Sequence, residues 1–144
     1  MEKAQPGDYQ EITEVWEASV RATHHFLKEE DILFFRPLIL NDYLKAVDLY
    51  CERDEAGSIV GFLGVADGKI EMLFIHPDSR GKGIGKKLLQ FAVDTLHATL
   101  VDVNEQNTQA VDFYRHMGFV VEDRSALDSM GKPYPILHMK LHTL

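Results

Sequence analysis

One stretch of eight residues constrains this chain more than any other. Arg80-Gly81-Lys82-Gly83-Ile84-Gly85-Lys86-Lys87 carries four positive charges and three glycines without a single acid. It does so in a chain of 23 acidic against 15 Lys and Arg residues, with a net charge of −8. The apolar run Met72-Leu73-Phe74-Ile75 precedes it, and Leu88, Leu89, Phe91 and Ala92 follow at helical spacing. A chain that passes from a strand through glycines into a helix leaves backbone N–H groups without intrahelical partners. Those groups and the positive end of the helix dipole make an anion site. A basic, solvated helix start is the plainer reading of the same residues.

The surroundings bound the choices. A length of 144 residues and 45% hydrophobic content fit one globular domain, residues 1–144, with a real core. No apolar run approaches the ~18 residues of a membrane span, and the start Met1-Glu2-Lys3-Ala4-Gln5-Pro6 lacks the apolar centre of a secretory signal. The single cysteine, Cys51, excludes an internal disulfide framework and is expected as a small buried side chain in a reducing compartment. The acidic balance argues against nucleic-acid binding, and the absence of His-Glu-x-x-His or Cys/His spacing argues against a metal site. The expectation is a cytoplasmic protein without membrane or nucleic-acid partners.

Periodicity predicts a first helix over 8–27, with Ile12, Val15, Trp16, Ser19, Val20 and Phe26 along one face. A second helical region, 28–46, is broken near Pro37. Strands follow at 47–54, 58–66 and 69–76, joined through Glu55-Ala56-Gly57 and the strong hairpin turn Asp67-Gly68. A helix over 84–97, a strand at 100–103, a helix over 110–117 stopped by Gly118, and strands from 119 and over 136–142 complete the order. A short strand at 2–5 precedes them. Such an order implies an α/β fold, a mixed sheet with helices on both faces.

Three templates test which anion the turn holds. A Walker A loop needs glycine five positions before Gly85, where Arg80 stands, and Ser or Thr after Lys86, where Lys87 stands. The dinucleotide fingerprint meets Lys86 in place of its third glycine, and a hairpin precedes the turn where a βαβ unit is needed. The third pattern, Arg/Gln-x-x-Gly-x-Gly/Ala after a strand ending in proline, is matched throughout by Arg80 to Gly85 after Ile75-His76-Pro77.

That pattern resembles the GNAT superfamily of acetyl-coenzyme A-dependent N-acetyltransferases. Asn107-Thr108-Gln109-Ala110-Val111-Asp112-Phe113-Tyr114-Arg115-His116-Met117-Gly118-Phe119 resembles its second signature, and the two span about residues 58–125. Val103-Asn104-Glu105-Gln106-Asn107 and Gly131-Lys132-Pro133-Tyr134-Pro135 resemble the small bacterial YjaB-like branch. The resemblance implies a mostly antiparallel sheet of six to seven strands, splayed at its centre. It implies acetyl transfer to a small-molecule or peptide amine by direct attack in a ternary complex, with no metal, in a monomer or homodimer.

The resemblance also implies residue roles. Backbone N–H groups of Gly81, Lys82, Gly83, Ile84, Gly85 and Lys86 would cradle the coenzyme A pyrophosphate, with charge from Arg80, Lys82, Lys86 and Lys87. The main chain of Leu73, Phe74 and Ile75 would pair with the pantetheine arm and polarise the thioester carbonyl. Asn107 would bind pantetheine or simply cap its helix. Tyr114 would protonate the departing thiolate, leaving packing to Phe113. Glu71 is the first candidate for general base and Asp102 the second; either is equally readable as a sheet-edge acid. His24 and His25 would line the acceptor side or be structural, and Glu29, Glu30, Asp31 and Asp42 suit a cationic amine or a solvated face. Two rival readings are a catalytically silent coenzyme A-binding sensor and a nucleotide-binding module.

Overall fold

The computed structural model describes residues 1–142. The chain divides into two compact units, Met1–Ala98 and Thr99 onward. The described residues form seven strands and four α-helices, in the expected order.

The first unit holds β1 (Glu2–Lys3), α1 (Tyr9–Thr23), α2 (Glu29–Leu38), β2 (Asp48–Arg53), β3 (Ile59–Ala66), β4 (Lys69–Ile75) and α3 (Ile84–Asp94). Its strands lie in the order β1-β2-β3-β4, every pairing antiparallel. The two hairpins form where turn chemistry dictates. Asp54 Oδ1 accepts from the Ala56 and Ser58 N–H groups at 3.0 and 2.9 Å, with Gly57 left-handed. Asp67 and Gly68 both have positive φ, 51° and 75°, as a tight two-residue hairpin requires.

Residues Ile59 to Val65 of β3 are buried throughout, because helices cover both faces of this strand. On one face Phe62 joins Ile12, Val15, Trp16 and Val20 of α1, Ile32, and Met72 of β4 in a single core. Each such side chain contributes roughly 1.5–3 kcal/mol when buried. On the other face α3 approaches Gly61 so closely that an added Cβ would lie 3.1 Å from Ile84 and 3.3 Å from Leu88. That glycine therefore fixes where the start of α3, and with it the basic turn, rests on the sheet. Cys51 is fully buried in the same core as Phe62, as expected.

Some boundaries move for local reasons. The first helix stops at Thr23, short of residue 27. Thr23 turns its hydroxyl back onto the Ser19 carbonyl, and His24 leaves helical geometry at φ −99°, ψ 60°. Phe26 thus belongs to a turn, where its ring lies 5.2 Å from that of His24. Past Pro37 the second helix loosens into a π turn, Ile39–Tyr43, and a short 3-10 turn, Leu44–Ala46, as a missing proline N–H requires. The helix after the glycine turn ends at Asp94 because His97 adopts φ 56°, which no helix continues through.

The second unit holds β5 (Leu100–Asn104), α4 (Thr108–His116), β6 (Phe119–Ser125) and β7 (Ile136–Leu141). Here β7 is central, antiparallel to β5 on one side and β6 on the other. Val101, Val103, Leu137 and Met139 are buried on one face. Phe119 pairs with Leu141 on that same face, and the Tyr114 ring of α4 lies 5.7 Å from Phe119. So α4 covers that face. Side chains alternate along a strand, which puts Asp102 and His138, paired directly across β5 and β7, on the opposite face.

Candidate active site

In the first unit the chain leaves β4 through His76, Pro77 and a single 3-10 turn, then enters the glycine segment. Gly81 and Gly83 have φ of 74° and 78°, and Gly83 is the N-cap of α3. A left-handed N-cap without a side chain turns the first N–H groups outward. The first helical hydrogen bond runs from Lys87 N–H to the Gly83 carbonyl at 3.1 Å, so Ile84, Gly85 and Lys86 donate to nothing inside the helix. No side-chain cap and no acid occupies this first turn. Arg80, Lys82 and Lys86 are exposed around it. The arrangement fits the pyrophosphate of coenzyme A: convergent donors, positive charge, and no Cβ at the two bends.

Lys87 is diverted from this cluster. Its Nζ lies 2.8 Å from the Glu52 carboxylate of β2. Burial would raise the Glu52 pKa, but Lys87 and the N-terminal ammonium of Met1, 3.4 Å away, together outweigh it and hold the carboxyl below its ordinary value. The pair stands in a cleft of about 620 Å³ between the β2–β3 turn (Arg53, Asp54, Glu55) and Lys82, Gly83 and Ile84. Its wall carries the carboxylates of Glu52, Asp54 and Glu55.

Gly83→Ala tests the turn directly. A Cβ there meets no atom within 4 Å, so only left-handed strain acts, about 1–2 kcal/mol. Urea unfolding is expected to show that loss, whereas Gly7→Ala, equally unobstructed and without positive φ, is expected to change stability by less than about 0.5 kcal/mol.

Leu73, Phe74 and Ile75 are half-buried on β4, in register with Leu63, Phe62 and Gly61. The Phe74 ring stacks on Phe62 at 5.5 Å. Upstream, Val65 faces Ile70 while Gly64 faces Met72, which leaves Glu71 as the extra residue of a β-bulge. The bulge explains why an exposed glutamate is tolerated in an otherwise apolar strand. No sequence signal marked it. His24 lies beside this strand, its ring 6.2 Å from Phe74. It is buried, and its pKa is pushed down to about 4, first by burial and then by the positive charge of Arg80.

In the second unit the Asn107 carboxamide oxygen accepts from Ala110 N–H at 3.2 Å, so its capping role is real. Tyr114, two turns on, is buried more deeply than Phe113, the reverse of the packing expected for the pair. Burial pushes its phenol pKa up, so the phenol keeps its proton at neutral pH. Asp102 is joined to two residues that sequence reasoning missed. Its Oδ1 lies 2.7 Å from His138 Nδ1, and His138 Nε2 lies 2.6 Å from Ser125 Oγ. Residues 36 and 13 positions apart carry no spacing signal; only the β5-β7-β6 order brings them together. Among the described residues, no group of three His, Cys, Asp or Glu could hold a metal ion, and no helix is long and apolar enough to cross a membrane.

Residues 46–121 match the acetyltransferase (GNAT) domain family. The chain is 40% identical over 130 residues to the peptidyl-lysine N-acetyltransferase YjaB of Salmonella typhimurium, covering 90% of this chain and 89% of that protein. It superposes on the solution structure of apo-form YjaB from Escherichia coli with a TM-score of 0.90 at 35% identity, covering 99% of this chain and 97% of that one. The PaiA N-acetyltransferase of Thermoplasma acidophilum in complex with coenzyme A shares the fold, with a TM-score of 0.73 at 22% identity over 97% and 96% of the two chains. The α/β fold with its mostly antiparallel strands is the GNAT fold, and this chain belongs to the GNAT acetyltransferase family, in its YjaB-like branch.

Proposed function

We propose that this enzyme transfers the acetyl group of acetyl-coenzyme A to a primary amine, the lysine side chain of a polypeptide, by direct attack in a ternary complex. The observation that carries this reading is the start of α3: three N–H groups without helical partners behind a left-handed glycine cap, ringed by Arg80, Lys82 and Lys86. The coenzyme A complex of the structural neighbour and the peptidyl-lysine activity of the close relative support donor and acceptor respectively.

Bound acetyl-coenzyme A supplies an activated thioester. Around it, Gly81 to Lys86 hold the pyrophosphate through main-chain donors. The backbone of Leu73, Phe74 and Ile75 aligns the pantetheine arm, and one of its N–H groups polarises the carbonyl. Asn107 adds a polar contact to its capping bond, and Tyr114 hands its proton to the departing thiolate. Glu71, exposed at the bulge, attracts the cationic acceptor. Asp102 is engaged with His138.

Calorimetry with acetyl-coenzyme A, followed by mass spectrometry of a lysine-containing peptide, tests the reading. Binding with one added acetyl group per modified lysine is expected. An absence of binding overturns it, and binding without transfer to any amine favours the silent sensor.

A further inference from the structure

Lys87 belongs to the basic cluster in sequence but is held aside from it in space. Strand register gives the reason. Glu52 of β2 is paired directly with Gly61 of β3, and directly opposed residues project to the same face of a sheet. A Cβ on Gly61 would meet Ile84 and Leu88, so that face is the one α3 covers. Glu52 therefore points at the start of α3, where its carboxylate lies 2.8 Å from Lys87 Nζ. Gly61 lets the helix approach the sheet, and Glu52 fastens the helix beside it.

The pair is less open to screening than an ordinary surface salt bridge. The Glu52 side chain is only 16% exposed, and its Oε2 atom is sealed from solvent. The Met1 ammonium lies 3.4 Å from that same oxygen. Arg53, the neighbouring cation, is committed to Glu2 and Asp8. Asp54 turns Oδ1 back onto the N–H groups of its own turn, and Glu55 stands exposed. Glu52 is thus the carboxylate that answers Lys87. Lys82, Gly83 and Ile84 line the same cleft, so its negative charge sits beside the turn that offers N–H groups to an anion.

A carboxylate beside an anion site opposes binding. The pyrophosphate is the same in acetyl-coenzyme A and in the coenzyme A product, so any added contact to it holds both equally. Uniform binding of that kind lowers KM without raising kcat, and it delays product release.

We propose that Glu52 restrains the affinity of the donor site by holding Lys87 away from the pyrophosphate, which leaves Arg80, Lys82 and Lys86 as its side-chain cations. This rests on the coenzyme A reading above. In the wild type the charges of Glu52 and Lys87 cancel. Glu52→Gln leaves the ammonium uncancelled on a flexible four-carbon stem that can turn to the phosphates.

Calorimetry with free coenzyme A and steady-state kinetics with acetyl-coenzyme A and a lysine peptide test this role. Glu52→Gln is expected to bind coenzyme A about fivefold more tightly at low salt, the effect of one added charge in a partly solvated site. KM for acetyl-coenzyme A is expected to fall by the same factor, with no gain in kcat. In about 1 M salt, where charges are screened within ~3 Å, the advantage is expected to shrink below about twofold. The double variant Glu52→Gln/Lys87→Met is expected to return to within about twofold of wild type, because the released charge is gone. A Glu52→Gln variant that binds coenzyme A no better than wild type, or less well, overturns the restraint and leaves acetyl transfer standing. A wild type that does not bind coenzyme A overturns both. NMR of the lysine ammonium groups in the wild type keeps the role testable if the variant folds poorly. Coenzyme A is expected to shift the Lys82 and Lys86 signals and to leave that of Lys87 nearly in place. A Lys87 shift as large as theirs overturns the restraint.

Discussion

Tyr114→Phe is expected to lower kcat by about one to two powers of ten while leaving the fold almost untouched. The phenol ring packs 5.7 Å from Phe119 and 5.2 Å from Phe113, and it is 6% exposed. The substitution keeps that packing and removes one oxygen, so stability should change by no more than about 1 kcal/mol. Its catalytic cost is bounded from the leaving group. A thiol has a pKa near ~8.5, so a thiolate departs at neutral pH with only modest help. The loss belongs at the low end of the roughly 10²–10⁴ range for general acids, or somewhat below it. Burial holds the phenol pKa well above its ordinary value, so wild-type Tyr114 stays protonated across the working range. Any fall of the rate on the alkaline side of that range therefore comes from another group. A donor acting only in the transition state predicts equal falls in kcat and kcat/KM. Steady-state kinetics on a lysine peptide check this, and a kcat within twofold of wild type would show that Tyr114 merely packs.

Local chemistry made much of the first unit readable. The Asp67-Gly68 turn, the proline break at Pro37 and the α1 face are dictated by residues within a few positions of one another. The glycine turn into α3 was legible for the same reason, since glycine, charge and helix start all lie between Arg80 and Lys87. What escaped depends on register. The extra residue at Glu71 exists only because β4 and β3 differ by one residue across Gly64 and Val65. Asp102 was singled out alone because its partner His138 comes from the far end of the chain and reaches it by strand pairing. His24 carried two readings because its burial is set by Phe74 and Phe26 on either side, and neither neighbour is settled by helical periodicity.

Acidification from pH 7 to about 4.5 is expected to cost the first unit about 2.5 kcal/mol through His24 alone. The imidazole is 8% exposed, and its pKa is pushed down to about 4 by burial and by the Arg80 charge. In the unfolded chain it titrates near ~6.5. Between those values the unfolded state binds a proton that the folded state refuses, so stability rises with pH through this window and is fully present above its upper edge. As pH falls the contribution is lost at about 1.4 kcal/mol per unit, a slope that ends near pH 4 where folded His24 itself takes the proton. The geometry gives the physical reason. Thr23 spends its hydroxyl hydrogen on the Ser19 carbonyl at 2.8 Å, so its oxygen accepts from His24 Nδ1, also at 2.8 Å. One ring nitrogen is thereby committed, and a second proton would place a buried charge beside Phe74 and Arg80. The paired carboxylates Asp8 and Glu52 have pKa values below their ordinary range. Their losses begin at lower pH and separate from this one. Urea unfolding of wild type and His24→Gln at about pH 7, 5.5 and 4.5 provides the measurement. The variant is expected to be less stable at neutral pH, through lost packing, yet nearly flat between pH 7 and 4.5. An equal slope in both proteins would place the acid sensitivity elsewhere. A slope that vanishes with His24 would tie it to the α1 terminus beside the strand proposed to hold the pantetheine arm.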